Sequence, residues 1–331
     1  MSLNTATALR IFGTGDQFRS ELQSIKLEDP KEGEVLVKVE YSSVNYKDAL
    51  AGTGKGPILR TYPLTGGIDL AGVVSKSQDS RFKEGDSVLI TGCSLSETKN
   101  GGYSNLQLVK AMDLVHLPRG LTTRQAMIIG TAGFTAALSL YRMEQNGLST
   151  DQGAVLITGA TGGVGSLAIN IFSQAQYQVS ALSRKTNEFE WLKSLGAIQC
   201  IEANSYTWGH RPMETHRWSA ALDNLGGNVL SGILKETQPW GHVALCGMAA
   251  GTQFNSSVMP FIIRGISLLG INSSACPMVI REELWEKLST SWKPDKLEKI
   301  HRHSCTLDTI DSAFNRLIDG NATGRTLVEL E

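Results

Sequence analysis

Short runs of apolar and β-branched residues alternate with turns along the first third of the chain. Residues 35–39, 68–74, 87–90 and 103–109 mix β-branched or apolar side chains with polar ones, and turn-forming residues separate them. Short runs of this kind with glycine and proline between them are typical of strands. Several short strands bounded by turns predict an all-β, barrel-like unit.

The pattern changes near Leu121, where helical and strand segments begin to alternate. Thr122 and Thr123 can cap a helix, and the apolar stretch 124–143 is predicted to form it. Strands are predicted at 154–157, 179–182, 200–201, 220–222, 243–245 and 266–269, and helices at 164–175 and 188–195. This βαβ rhythm predicts a parallel sheet with helices on both faces. A last strand, 326–330, is expected to return to the first unit.

Composition narrows the class of protein. A chain of 331 residues, 41% of them hydrophobic, is long enough for two domains. Lys and Arg number 31 and Asp and Glu 32, so we expect binding to neither nucleic acid nor a membrane surface. No apolar run approaches the ~20 residues of a membrane span, and no export signal is recognisable. Five scattered cysteines favour a reducing compartment, which predicts a cytoplasmic protein.

A glycine-rich segment, residues 157–165, lies between a predicted buried strand and a predicted amphipathic helix. Ala160 and Gly162 permit a tight turn and close approach of a pyrophosphate, and Gly165 lets the helix pack against the strand. Free N–H groups at the start of the helix can bind phosphate oxygens. We therefore predict a dinucleotide site, the alternative being a glycine-rich turn without a ligand.

The next predicted strand ends at Ser183, Arg184 and Lys185, where NAD-binding proteins usually carry an acid for the ribose 2′-hydroxyl. Two cations and a hydroxyl suit a 2′-phosphate instead. This substitution predicts NADPH as the cofactor. The alternative is a solvated loop whose charge is incidental.

Ligands for a metal are not apparent in the sequence. There is no C-x-x-C, no H-E-x-x-H and no close set of Cys and His, and we interpret His301 and His303 as surface residues. We expect no metal, and alcohol oxidation without zinc lacks its usual Lewis acid. Reduction of a polarised C=C bond or of a quinone is favoured.

A run of four polar residues, Asn45, Tyr46, Lys47 and Asp48, follows a predicted strand. An amide, a phenol, an amine and a carboxylate so close together can orient a carbonyl or deliver a proton. A polar turn in which Asp48 caps a helix is the alternative.

Together these segments resemble the medium-chain dehydrogenase/reductase superfamily, and within it the acryloyl-CoA reductase (NADPH) group, whose members are often named quinone oxidoreductases. The resemblance extends over essentially the whole chain and includes residues 43–50, 67–72, 126–136, 159–165, 258–262 and 324–328. It implies an α/β protein with a GroES-like catalytic domain, residues 1–122 completed by 273–331, and a Rossmann domain, residues 123–272, with a doubly wound parallel sheet. It also implies a homodimer and no zinc.

The resemblance further implies roles for individual residues. Tyr46 and Thr131 would contact the nicotinamide half of NADPH, with Ile271 and Asn272 flanking it. The remaining cofactor contacts would be Ala160, Gly162, Gly163 and Val164 at the pyrophosphate, Ser183, Arg184 and Lys185 at the 2′-phosphate, Asn224 and Leu245 at strand ends, and Arg325 from the C-terminal segment.

The reaction implied is NADPH-dependent reduction of an α,β-unsaturated acyl-CoA, with acryloyl-CoA going to propanoyl-CoA. Tyr46 is the first catalytic candidate, supported by Asn45 and Asp48, although solvent could also supply the proton. A quinone reductase is the alternative enzyme. A crystallin-like, NADPH-binding structural or RNA-binding protein is the alternative from another class, which the near-neutral charge does not favour.

Replacing Arg184 tests the assignment of the 2′-phosphate site. A charge-assisted hydrogen bond contributes roughly 1.5–3 kcal/mol, so Arg184→Ala should weaken NADPH binding about ten- to hundredfold. NADH lacks the 2′-phosphate, and its dissociation constant should barely change. Fluorescence titration with both cofactors measures this, and equal losses for the two would rule out the assignment.

Overall fold

A computed structural model of the chain describes residues 4–330. They form two compact units. The first contains the chain up to Thr131, residues 274–285 and the segment from His301 onward, and the second contains residues 132–273 and 286–300.

The helices and strands of the described residues occur in the following order along the chain. Up to residue 145 they are β1 (Asn4–Ile11), β2 (Ser20–Leu27), β3 (Glu34–Val44), α1 (Tyr46–Gly52), β4 (Leu64–Thr65), β5 (Asp69–Ser77), β6 (Ser87–Thr91), β7 (Leu106–Lys110), β8 (Val115–His116) and α2 (Thr123–Gln145). Up to residue 270 they are β9 (Val155–Thr158), α3 (Gly163–Gln174), β10 (Val179–Ser183), α4 (Phe189–Ser194), β11 (Ala197–Glu202), β12 (Trp218–Asp223), α5 (Gly227–Glu236), β13 (Thr237–Leu245), α6 (Met259–Arg264) and β14 (Ser267–Gly270). The remaining ones are α7 (Met278–Ser289), α8 (Leu297–Ile300), β15 (His301–Cys305), α9 (Ile310–Ile318) and β16 (Arg325–Glu329).

The first unit is built around the long strand β3. Its seven-stranded sheet runs in the order β15-β16-β3-β5-β6-β8, with β7 also paired to β3. The C-terminal strand β16 lies antiparallel to β3, with Thr326 opposite Val44. Alternate residues of β3, among them Val35, Val37 and Val39, point into a core that also contains Phe314 of α9. The last strand predicted from the sequence therefore completes the first unit.

A second, three-stranded sheet of this unit was not among the predicted strands. Its order is β2-β1-β4, and β1 and β2 form an antiparallel hairpin. β1 buries Ala6, Ala8 and Ile11, but β2 has no fully buried residue. A strand without a clear apolar face gives little periodic signal, which explains the omission.

The second unit is an open, entirely parallel sheet. Its six strands lie in the order β11-β10-β9-β12-β13-β14, so the strand order reverses between β9 and β12. β9 and β12 lie at the centre and every residue of both strands is buried, because parallel sheets are covered on both faces. In such sheets a ligand binds at the carboxyl ends of the strands, where the order reverses.

Helix α2 is not the uninterrupted helix that the apolar stretch predicted. Gly130 has φ 51° and ψ −161°, which breaks the helical path after two turns. Among the described residues, α2 is the one helix long and apolar enough to span a membrane, and 83% of its most apolar stretch is buried in the protein. Its composition is therefore that of a core helix.

Candidate functional site

The carboxyl ends of the parallel strands carry the cofactor-binding residues predicted in the second unit. Ala160, Gly162, Gly163 and Val164 follow β9; Ser183, Arg184 and Lys185 end and follow β10; Asn224 follows β12; Leu245 ends β13; Ile271 and Asn272 follow β14. Because these strands are neighbours and parallel, their ends form one edge. The predicted residues therefore converge on a single strip of the unit.

The glycine-rich loop has the backbone that phosphate binding needs. Gly159 has φ +56°, and a Cβ on Gly165 would lie 2.5 Å from the Gly159 carbonyl oxygen and 2.7 Å from the Ala160 Cα. Only glycine allows α3 to pack so closely against the end of β9. No described residue accepts a hydrogen bond from the N–H groups of Gly163, Val164 or Gly165. These donors at the start of a twelve-residue helix fit a pyrophosphate.

The segment predicted to bind the 2′-phosphate combines one buried residue and two accessible cations. Ser183 is buried, and its hydroxyl accepts the Lys185 N–H at 3.1 Å and lies 3.4 Å from the Thr161 hydroxyl. Arg184 is exposed. Burial lowers the pKa of Lys185, and the Arg184 charge adds to this, whereas Glu188 opposes it. The hydroxyl therefore shapes the loop, and the charge that a phosphate would meet is carried by the two cations.

Asn224 connects the two central strands of the sheet. Its backbone N–H donates to the Thr158 hydroxyl at 3.0 Å, and its side-chain amide donates to the Thr158 carbonyl at 2.7 Å. Along the same edge, the Ile271 N–H donates to the Leu245 carbonyl at 3.0 Å. Asn272 is exposed. The two hydrogen bonds to Thr158 give Asn224 a structural role that is independent of its predicted contact with the cofactor.

In the first unit, a buried carboxylate gathers the polar residues predicted for catalysis. Asp69, at the start of β5, accepts hydrogen bonds from the Ser43 hydroxyl, the Asn45 amide at 2.8 Å, and both the N–H and the hydroxyl of Thr131. Asp69 has no solvent-exposed surface. It therefore fixes Asn45 and Thr131, two predicted site residues that are far apart in sequence. We call Ser43, Asn45, Asp48, Asp69, Thr131 and Arg325 the polar cluster.

Arg325 is the cation of the polar cluster and is only 3% exposed. Its Nε donates to the Ile128 carbonyl, Nη1 to the Val44 carbonyl and the Asn45 Oδ1, and Nη2 to the Ser43 hydroxyl at 2.7 Å. All three guanidinium nitrogens are thus engaged within the first unit. The geometry assigns Arg325 to holding the polar cluster together, and its contact with the cofactor stays a prediction.

Asp48 caps helix α1, as in the alternative interpretation of this segment. One carboxylate oxygen accepts the Asn45 N–H at 2.9 Å, and the other accepts the Ile68 N–H at 2.9 Å. Burial raises the pKa of Asp48 to about 7, the negative charge of Asp69 adds to the rise, and these hydrogen bonds oppose it. Asp48 is therefore partly protonated near neutral pH, although both of its oxygens face the protein.

The break in α2 lets the polar cluster close. A Cβ on Gly130 would lie 2.7 Å from the Arg325 Nη2, 2.8 Å from the Asp69 Oδ2 and 2.8 Å from the Ser43 hydroxyl. A glycine is therefore needed both for the positive φ and for the space. Gly130, Asp69 and Ser43 had no role predicted from the sequence. They lie in segments used to establish the family resemblance, but short polar residues beside glycine give no signal of a distant partner.

Tyr46 is the accessible member of the predicted catalytic set. It is the first residue of α1 and is 46% exposed, and its hydroxyl has no hydrogen-bond partner among the described residues. The amide of Asn45 and the hydroxyl of Thr131 donate to Asp69 instead. Of these side chains, Tyr46 alone therefore retains a donor for a bound molecule.

Within residues 4–330, no group of three or more His, Cys, Asp or Glu side chains is arranged to hold a metal ion. Lys47, which follows Tyr46 on α1, forms an ion pair with Glu97. His301 is partly buried and His303 exposed, on strand β15.

Comparison with known proteins places both units in one family. Residues 31–119 match the model of the alcohol dehydrogenase GroES-like domain, and residues 163–290 match the model named zinc-binding dehydrogenase. Acrylyl-CoA reductase AcuI of Ruegeria pomeroyi is 40% identical over 315 residues, 94% of each chain. YhfP of Bacillus subtilis, whose name assigns it provisionally to the quinone oxidoreductases, is 42% identical over 98% of each chain.

Solved structures agree with this placement. The yhdH oxidoreductase from Salmonella enterica in complex with NADP superposes with a TM-score of 0.93 at 38% identity, covering 98% of this chain and 100% of that one. YhfP with NAD bound gives 0.94 at 41% identity over 99% and 100%. The chain belongs to the medium-chain dehydrogenase/reductase superfamily of oxidoreductases. The predicted fold class, a GroES-like domain and a Rossmann-type parallel sheet, is confirmed.

Replacing Asp48 by asparagine tests the protonation of the polar cluster. The pKa of Asp48 is raised from 3.8 to about 7 on folding, so the folded state binds a proton more tightly than the unfolded state. This contribution to the free energy of unfolding is fully present below about pH 4 and is lost as the pH rises through 7, by up to about 4 kcal/mol.

The side chain of asparagine does not titrate, so Asp48→Asn should remove this part of the pH dependence. Urea unfolding between pH 4.5 and 8 measures it, with the exposed Asp311 changed to Asn as the matched control. Wild type and Asp48→Asn with parallel stability profiles would contradict the raised pKa.

Proposed function

We propose that the protein reduces acryloyl-CoA to propanoyl-CoA with NADPH. The observation that carries the proposal is the similarity to acrylyl-CoA reductase AcuI along 94% of both chains. The donor arrangement of the first unit supports it, since a thioester enolate needs a hydrogen-bond donor at its oxygen and Tyr46 keeps one free.

NADPH is the proposed cofactor. The unused N–H groups of Gly163 to Gly165 suit its pyrophosphate, and Arg184 and Lys185 suit its 2′-phosphate. The NADP complex of the Salmonella enterica relative supports the same choice, and the NAD complex of YhfP makes direct comparison of the two cofactors necessary.

In the proposed reaction, NADPH held by the glycine-rich loop, Arg184 and Lys185 would supply the hydride that reduces the β-carbon of the acryloyl group. Negative charge then develops on the thioester oxygen, and the α-carbon takes a proton. Tyr46 donates a hydrogen bond to that oxygen or relays the proton, while solvent can also protonate the carbon. Asn45 and Thr131, held by Asp69, keep a fixed geometry beside Tyr46 rather than donating to the substrate themselves.

A quinone reductase is the second candidate, and the 42% identity with YhfP favours it. The same cofactor site would then serve a flat acceptor that needs little protein assistance. A structural or RNA-binding role predicts no steady-state turnover with either substrate.

One substrate panel tests these candidates. Acryloyl-CoA, crotonyl-CoA and a benzoquinone are compared with NADPH and NADH, and we expect kcat/KM to be highest for acryloyl-CoA with NADPH. Tyr46→Phe should lower kcat for acryloyl-CoA at least about tenfold, or 1.4 kcal/mol, with a smaller loss for the quinone. Tyr41→Phe, on strand β3, is the control and should retain activity.

Faster reduction of quinones than of acryloyl-CoA by the wild-type protein would overturn the proposed substrate. Full activity of Tyr46→Phe would instead remove the donor role of Tyr46 and leave the substrate unaffected.

We also propose that the protein is a cytoplasmic homodimer formed through the second unit. β14 is the last strand of the parallel sheet, with β13 on one side only. Beside it, Trp240, Val258, Ile262 and Ile263 expose 61–77% of their surface. An open strand edge next to apolar side chains suits pairing with the same edge of a second copy about a twofold axis.

Ile262→Glu tests this proposed interface. A charge in an apolar, self-complementary surface is repeated by symmetry, so the variant should be monomeric by light scattering while the wild type is dimeric. Val279→Glu, at an equally exposed site on α7, should stay dimeric. A monomeric wild type, or a dimeric Ile262→Glu, would contradict the proposal.

A further inference from the structure

The segment that follows helix α1 carries a pair of exposed cations. Between residues 41 and 68 the basic residues are Lys47, Lys55 and Arg60, and the one acid is the buried Asp48. Lys55 and Arg60 are exposed and have no carboxylate partner among the described residues. This part of the first unit therefore presents positive charge that the protein itself does not neutralise.

Several other exposed cations of the same unit are paired, whereas Lys26, Lys38, Lys83 and Arg119 are exposed without an ion pair among the described residues. The ion pairs are Lys31 with Glu28, Lys76 with Asp29, Arg81 with Asp79, Lys99 with Asp113 and Lys110 with Glu34. Lys47, which lies on α1 itself, is paired with Glu97. Lys55 and Arg60 are distinguished from the other unpaired cations by their position, because both follow the helix that begins at Tyr46.

The backbone beneath the two cations is held in place. The Gly54 N–H donates to the Ala51 carbonyl at 3.2 Å, and the Gly56 N–H donates to the Leu50 carbonyl at 3.2 Å. The Arg60 N–H donates to the Glu97 carbonyl at 2.7 Å. Leu59 is buried with Ile11 and Ala51. Because the backbone is anchored on both sides of Lys55 and at Leu59 and Arg60, little order has to be gained on binding.

The position of the segment relates it to the proposed reaction. Helix α1 begins at Tyr46, the proposed donor, and its seven residues extend for about 10 Å before the segment continues from its other end. A CoA ester has its groups in the same order as this part of the chain. Its thioester lies at one end of the pantetheine arm, and its phosphate groups lie at the other. Arginine binds phosphate with a two-pronged geometry, and lysine binds it as a point charge.

We propose that Lys55 and Arg60 form a binding site for the phosphate groups of the CoA moiety. The inference rests on the proposed function and adds the residues that recognise the carrier rather than the acyl group. NADPH also carries phosphates, so the test separates the two sources.

The test compares Lys55→Ala, Arg60→Ala and the double variant with wild type. KM for acryloyl-CoA should rise roughly five- to tenfold in each single variant and at least about twentyfold in the double variant, with little change in kcat. The acryloyl thioester of N-acetylcysteamine has no phosphate, and its kcat/KM should be the same in all four proteins. KM for NADPH should also be unchanged. Lys26→Ala, an exposed lysine on β2, is the matched control.

Binding of free CoA, followed by calorimetry, gives a readout that needs no turnover. Weaker CoA binding in the variants of a protein that does not reduce acryloyl-CoA would retain the phosphate site and reject the proposed function. An unchanged KM for acryloyl-CoA, an equal loss with the truncated thioester, or a raised KM for NADPH would each overturn the site.

Discussion

Burial of charge in the polar cluster is the constraint on which the first unit depends. Asp48, Asp69 and Arg325 are all shielded from water, and an uncompensated buried ion costs several kcal/mol. The cost is offset because the carboxylates accept and the guanidinium donates several hydrogen bonds, some between residues very distant in sequence, such as Ser43 and Arg325, 282 positions apart. The polar cluster therefore joins the beginning, the middle and the end of the chain, and its geometry has few alternatives.

The second unit meets a simpler requirement. Parallel strands place their carboxyl ends on one edge, and the break in strand order between β9 and β12 leaves room there. Gly165 permits close contact of α3 with the strand end, which leaves three backbone donors unused. At the glycine-rich loop the available donors belong to the backbone, whereas the polar cluster of the first unit is built mainly from side chains.

This difference explains how much the sequence could predict. The glycine-rich loop and the strands that follow it were recognisable because their signal is local: the period of the apolar residues and the spacing of the glycines. The hairpin of β1 and β2 was missed because β2 buries no residue fully.

The polar cluster could be predicted only in part. Asn45 was recognised from the local run of polar residues, and Thr131 and Arg325 through the family resemblance. Asp69, the common partner of Asn45 and Thr131, was not recognised, because its importance arises from contacts up to 62 residues away. Arg325 was expected at the cofactor, which stays a prediction, and each of its three guanidinium nitrogens donates within the first unit. The break at Gly130 had no periodic signal, since the apolar pattern continues on both sides of it.

The pairing of β16 with β3 has a consequence for biosynthesis. The second unit is nearly continuous along the chain, with most of its residues between 132 and 273, so its sheet can form while the protein is still being translated. The sheet of the first unit cannot be completed until the ribosome has released the strand that carries Arg325. Until then Asp48 and Asp69 lack their cation, and the earliest-synthesised part of the protein is the last to reach its final structure.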